Sequence, residues 1–180
     1  MTAMLKPLSA LLLAAACVCA PAATLQPDKS DLAFTFKQMG VPVDGKFKKF
    51  DAQLDFDPKK PEAGHIAFTV DLGSVSLGDP SFDHELAGAP WFDTKRNGKA
   101  TFVSSGIKAT GAGKYDVAGK LTIKGSSRDI VVPITLAAGV ATGSVPIKRL
   151  DFKIGDGEWA DTSVVANDVT VKFKLAFSGL

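Results

Sequence analysis

Apolar and polar residues alternate with a period of two along most of this chain, the pattern of half-buried β-strands. Leu32, Phe34 and Phe36 alternate with Ala33, Thr35 and Lys37. Phe50, Ala52, Leu54 and Phe56 alternate with Asp51, Gln53 and Asp55. Ile66, Phe68, Val70 and Leu72 form the next set, then Ala100 and Phe102, then Tyr115, Val117, Leu121 and Ile123. Ile130, Val132, Ile134 and Leu136 follow, and after them Val145 and Ile147. The last run is the most regular, with Val169, Val171, Phe173, Leu175 and Phe177 set between Thr170, Lys172, Lys174 and Ala176. Turn residues separate the runs. Asp57-Pro58, Pro61 and Gly64 break the second from the third, and Gly111 and Gly113 precede Tyr115. Lys124-Gly125-Ser126 divides the next pair, and Gly139 and Gly143 close the one after. Glycine permits positive φ and proline lacks a donor, so both punctuate strands. The spacing predicts about eight strands at hairpin intervals.

One segment reads as a helix, from Pro80 to Leu86. Asp79 suits the N-cap and Pro80 the first helical position. Asp83 and Glu85 put negative charge near the positive end of the helix, and Phe82 and Leu86 share a face. Antiparallel strands in this number must hide their edges, either in a closed barrel or in a two-sheet sandwich. An eight-stranded barrel has an interior that side chains fill or that holds one small ligand. The inward residues here are Phe, Leu, Ile and Val, which offer dispersion contacts and almost no hydrogen bonds. Each methylene of a guest buried there contributes roughly 0.8 kcal/mol. A long hydrocarbon tail is the guest that such a wall holds tightly. Alternation alone leaves a self-filled barrel without ligand equally open.

Outside this pattern lies the N-terminal stretch. Lys6 precedes an apolar run from Leu8 to Cys19, and small residues follow at Ala20-Pro21-Ala22-Ala23. This is the layout of a secretory signal peptide, too short to span a bilayer. Cleavage is expected after Ala22 or Ala23, which assigns 1–22 to the leader and 23–180 to one exported domain. Cys17 and Cys19 both fall in the leader, so the remaining chain has no disulfide and no thiolate site. A rival is lipidation at Cys17, because Leu13-Ala14-Ala15-Ala16-Cys17 loosely resembles a lipoprotein cleavage box. Without Lys6 the 21 basic residues fall to 20 against 19 acidic, a formal charge of about +1. That balance gives no long-range attraction for nucleic acid.

Catalytic chemistry is sparse. His65 opens a strand, and His84 lies in Asp83-His84-Glu85. Three consecutive helical residues point in three directions and cannot converge on one metal ion. No nucleophile elbow, P-loop or dinucleotide fingerprint is present, and no cofactor is expected. Asp151, Asp156, Glu158 and Asp161 gather near Trp159, where a paired-carboxylate site is conceivable but a polar loop at the rim is simpler.

The order and spacing of several motifs resemble the YceI-like family of secreted bacterial proteins. They include Phe56-Asp57-Pro58, Val70-Asp71-Leu72-Gly73-Ser74-Val75, Phe82-Asp83-His84-Glu85-Leu86 and Trp91-Phe92-Asp93. Ala100-Thr101-Phe102-Val103-Ser104-Ser105 is similar to the family's next strand. Gly119-Lys120-Leu121-Thr122-Ile123-Lys124-Gly125 is the most specific match, and Lys148-Arg149-Leu150-Asp151-Phe152 resembles the late motif. Phe82 departs from the family, which often has Arg there, and Ser126-Ser127-Arg128 replaces a more usual apolar-Thr pair. Trp91, Trp159 and the run from Gly157 to Asp161 resemble a subgroup associated with membrane b-type cytochromes.

The resemblance implies an all-β fold, an eight-stranded antiparallel lipocalin-like barrel with one short helix, export to the periplasm, and no established catalysis. It implies a long-chain isoprenoid or isoprenoid quinone as ligand. A membrane b-type cytochrome and a second copy of the chain, as a homodimer, are candidate partners. The candidate ligand-binding residues are Phe34, Phe36, Phe68, Val70, Phe82, Leu86, Trp91, Phe102, Ile123, Ile134, Trp159, Val171 and Phe173. The alternatives are a structural or stress-protective barrel without ligand, and a lipid-modifying enzyme using His84 and the rim carboxylates.

Overall fold

The computed structural model describes residues 23–180, so the leader expected over 1–22 lies outside the described residues. Eleven strands are present among these residues: β1 (Ala23–Leu25), β2 (Asp31–Gln38), β3 (Val41–Phe47), β4 (Phe50–Asp55), β5 (His65–Asp71), β6 (Val75–Ser76), β7 (Lys99–Gly111), β8 (Lys114–Ile123), β9 (Ser126–Ala137), β10 (Val140–Lys148) and β11 (Asp168–Ser178). One α-helix, α1 (Pro80–Leu86), follows β6. All strand pairs are antiparallel.

Ten of these strands fill eight positions in a closed barrel. β1 and β2 share one position beside β11, with Leu25 opposite Phe177 and Phe34 opposite Val171. β3 and β4 share the next, with Phe34 opposite Gly45 and Thr24 opposite Gln53. The ring then runs through β5, β7, β8, β9 and β10 back to β11. Closure removes the sheet edges. β6 adds a short flap on β3.

Each shared position contains a change of phase. Leu25 is buried on β1, whereas Leu32 and Phe34 are buried on β2, so the inward set moves from odd to even numbers. The turn at Pro27–Lys29 absorbs the shift. The Lys48-Lys49 step does the same between inward Phe47 on β3 and inward Ala52 on β4. Its amides do not go unpaired. The Lys48 N–H donates to the Ser74 carbonyl at 3.1 Å, and the Lys49 N–H donates to Ser74 Oγ at 2.9 Å. A bulge between Ser104 and Gly106 re-phases β7, so that Ile107 is buried where the earlier parity would expose it.

The helix forms where its signals lie. The Asp79 carboxylate accepts from the Ser81 N–H at 2.8 Å, and Pro80 occupies the first turn. Asp83 accepts from the Leu77 N–H at 2.6 Å, tying α1 to the strand before it. One expectation needs correction, and one strand is additional to those that alternation marks. Gly143 does not close a strand; it lies inside β10 opposite Phe173. The stretch from Val41 to Phe47, which carries Pro42 and Gly45 and shows no clear alternation, is a full barrel strand.

Candidate functional site

The inward residues of the barrel surround a cavity of about 240 Å³. The wall facing it is apolar throughout. The strand rule explains this, since alternate side chains face opposite sides. Phe34 and Val70 are buried toward the lumen, and Phe68, Phe102, Val171 and Phe173 border it. Lys172 and Lys174 stand exposed on the outer face, while Thr35 donates to Asp44 on the neighbouring strand at 2.6 Å.

The structure brings most of the candidate residues together. Phe36, Leu86, Trp91, Ile123 and Ile134 line the same cavity as the six just named. Two candidates lie elsewhere. Phe82 is 54% exposed and does not reach the wall. Only the last turn of α1, through Leu86, rests on the barrel; the first turn projects into solvent. Trp159 stands behind Trp91, ring centroids 5.4 Å apart, and supports that ring without lining the cavity.

Loops at one end of the barrel cap the lumen. The segment between β5 and β7 carries α1 and Trp91, and the segment between β10 and β11 folds across beside it. Leu72, Phe152 and Val165 are almost wholly buried in this cap. Its organiser is Arg149, which sequence reasoning did not single out. The residue is 2% exposed. Its Nε donates to the Ala166 carbonyl, Nη1 to those of Ile154 and Gly155, and Nη2 to those of Trp159 and Val165. All five guanidinium donors are thus matched by backbone carbonyls of one loop. Burial without a neighbouring carboxylate pushes the Arg149 guanidinium below its ordinary pKa. Lys124, in the β8–β9 turn, is a second clamp. Its Nζ donates to the Pro90 carbonyl at 3.1 Å and the Lys153 carbonyl at 2.7 Å, so it joins both capping segments. The signal in the sequence was present in the late motif around Arg149, but a Lys-Arg pair reads as solvated charge.

Polar groups around the cap serve its turns. Ser163 donates through N–H and hydroxyl to Asp161, and Ser81 does the same to Asp79. These bonds hold both carboxyls below the usual carboxylate range. Asp151, Asp156 and Glu158 are exposed, and Asp156 lies 3.8 Å from Lys124. His84 is exposed on α1, and His65 is exposed at the start of β5, at the far end of the barrel. Among the described residues no group of three or more His, Cys, Asp and Glu side chains converges as a metal site. Among the described residues Trp91 Nε1 is the one buried side-chain nitrogen or oxygen without a hydrogen-bond partner.

A closed antiparallel barrel around an apolar lumen defines a lipocalin-like architecture. The chain matches the YceI-like domain over residues 24–177 and belongs to that family. The crystal structure of BcnA from Burkholderia cenocepacia superposes with a TM-score of 0.81 at 46% identity, covering 84% of this chain and 98% of that one. A YceI protein from Campylobacter jejuni gives 0.68 at 27% identity over 76% of this chain and 85% of that one. A polyisoprenoid-binding domain from Saccharophagus degradans, implicated in plant cell wall breakdown, shares the fold with a TM-score of 0.68 at 19% identity. It covers 86% of this chain and 97% of that one. Among curated sequences, a UPF0312 protein of Ectopseudomonas mendocina is 34% identical over 88 residues, 49% of this chain and 46% of that protein. The chain thus spans about half the length of the curated relatives it matches.

Proposed function

We propose that this protein is a periplasmic carrier or reservoir for a long-chain isoprenoid, and specifically for an isoprenoid quinone. The observation that carries this reading is the cavity of about 240 Å³ whose facing wall is entirely apolar. It exceeds the engineered cavity of about 150 Å³ that stays dry and takes benzene. It lies just under the roughly 300–1,000 Å³ of ordinary ligand pockets, so a long tail fills it and displaces part of the wall. The polyisoprenoid-binding description of the Saccharophagus degradans domain supports the ligand class. The head group is assigned to the capped end, beside Trp91, whose buried indole N–H has no acceptor in the protein. A membrane b-type cytochrome is the partner that a quinone cargo calls for, and a homodimer is the assembly to be weighed by mass. The leader motif supports export.

Native mass spectrometry with organic extraction tests the reading, on protein produced in a host that makes isoprenoid quinones. A bound species of isoprenoid mass is expected. Phe173→Asp puts an unpaired charge in the lumen at a cost of several kcal/mol and abolishes lipid retention or folding. Lys172→Asp, on the outer face, retains both. Absence of extractable lipid from the folded wild type overturns the carrier reading in favour of a filled barrel.

A further inference from the structure

Three phenylalanines of the wall lie across glycines of the neighbouring strand. Phe34 on β2 faces Gly45 on β3, and Phe173 on β11 faces Gly143 on β10. Phe102 on β7 leans diagonally over Gly119 on β8, whose direct partner is Ser104. The contact is with the far edge of each ring. A Cβ on Gly45 would stand 2.3 Å from Phe34 Cζ, one on Gly119 2.5 Å from Phe102 Cζ, and one on Gly143 2.3 Å from Phe173 Cζ. No side chain fits beneath these rings, so each ring occupies the space that a methyl would take on the adjacent strand. A ring in that position lies along the wall instead of pointing to the barrel axis. None of these three glycines has a positive φ, so backbone conformation is not what selects them.

We propose that Gly45, Gly119 and Gly143 set the bore of the lumen, and with it the longest tail that it accepts, by letting Phe34, Phe102 and Phe173 lie flat. This inference rests on the carrier reading above and deepens it. All three rings line the cavity, and the three pairs sit on different strand pairs around the barrel. Adding a methyl at one of these glycines lifts the ring inward. At Gly45 the ring has no other way to go: Phe36 stacks 6.4 Å from Phe34 on one side and Phe47 lies 5.4 Å away on another. Gly45 is also the cleanest position to alter. The nearest atoms to its added Cβ are all side-chain ends, from Phe34 and Leu77. At Gly119 and Gly143 the Val103 and Pro133 carbonyls would also crowd it, at 2.6 and 2.7 Å.

The test compares wild type, Gly45→Ala, Gly45→Ala/Phe34→Leu and Gly106→Ala. Gly106 has open space around its Cβ position and serves as control. Each is titrated with farnesol, geranylgeraniol and solanesol, prenols of increasing length, with circular dichroism to verify folding. Each methylene denied burial weakens binding about fourfold. Gly45→Ala is expected to bind farnesol within about twofold of wild type and solanesol at least about tenfold more weakly. The double variant, whose shorter side chain clears the methyl, regains solanesol binding, and Gly106→Ala matches wild type. Folded Gly45→Ala that binds every prenol as wild type does overturns the inference. So does a loss of solanesol binding that Phe34→Leu fails to restore. If folded wild type binds no prenol, the carrier reading falls and takes this inference with it.

Discussion

At the α1 end of the barrel, long segments are fastened by cations to backbone carbonyls; at the opposite end, two tight turns and the 56–64 connection are held by one aromatic pair over a small apolar cluster. Arg149 and Lys124 between them engage seven carbonyls of the capping segments. Under that polar lattice lie Leu72, Phe152 and Val165, each no more than 2% exposed. At the other end Phe56 meets Tyr115 edge to face at 5.1 Å, over buried Ile107 and Val117. Two of the three connections there are tight turns, at Ala112-Gly113 and Ala138-Gly139, and the third, 56–64, carries Phe56 and a short 3-10 turn at Pro61–Ala63. The difference teaches how a chain can build a lid from loops. Irregular segments leave backbone carbonyls without strand partners, and those carbonyls must find donors before the segment is buried. One buried guanidinium with five donors meets that requirement at a single point. Hairpin turns close to the ladder have few such groups, so apolar contact suffices.

The largest expected effect comes from removing apolar mass under the lattice. Phe152→Ala should cost about 3–5 kcal/mol, read from chemical denaturation. Arg149→Met should follow, at roughly 3 kcal/mol, because it leaves several buried carbonyls without donors. In a domain of this size that lowers the melting temperature by about 6–12 °C. Arg149→Lys should rescue little, since an ammonium has fewer donors and no planar fork. A melting temperature unchanged in Arg149→Met would mean that the lattice contributes no stability and that the two ends do not differ as described. At the far end Phe56→Ala should cost less, about 1–2 kcal/mol, because the ring is only half buried. If Phe56→Ala proves as damaging as Phe152→Ala, the contrast between the ends fails.

Acid gives the smallest effect and a local one. Asp79 and Asp161, whose carboxyls are held low by serine hydrogen bonds, both lie at the α1 end. A depressed folded pKa contributes stability that is complete above the unfolded value, 3.8, and is lost as pH falls below it toward the folded one. Hydrogen exchange read at about pH 5 and about pH 3, corrected for intrinsic rates, should show the Ser81 and Ser163 amides losing protection first. Equal loss at Tyr115 and Leu136 would remove the distinction.

Much of the barrel was legible along the chain, and the reason is periodicity. Phe34, Phe102 and Phe173 are assigned inward by alternation alone, and each lines the lumen. The helix was legible because capping is local: Asp79 and Pro80 act within one turn of chain. β3 was not, because Pro42 and Gly45 are turn signals when read alone. Gly143 reads as a strand end for the same reason. Phe82 reads as a wall residue because it shares a helical face with Leu86, and only the docking of α1 shows that one turn alone rests on the barrel.

What the sequence determined by itself is therefore what depends on near neighbours: strand phase, turn position, the helix and its cap, and the apolar character of one face. Tertiary structure decided what depends on residues far apart in the chain. The Lys48-Lys49 break is tolerable only because Ser74 supplies its missing partners. Gly45 and Gly143 belong inside strands only because a ring from the next strand covers them. Arg149 is a core residue only because its own loop folds back to present five carbonyls. In each case the partner lies across a strand pair or a loop closure. The free energy of that contact exists only once the barrel has closed, and alternation carries no record of it.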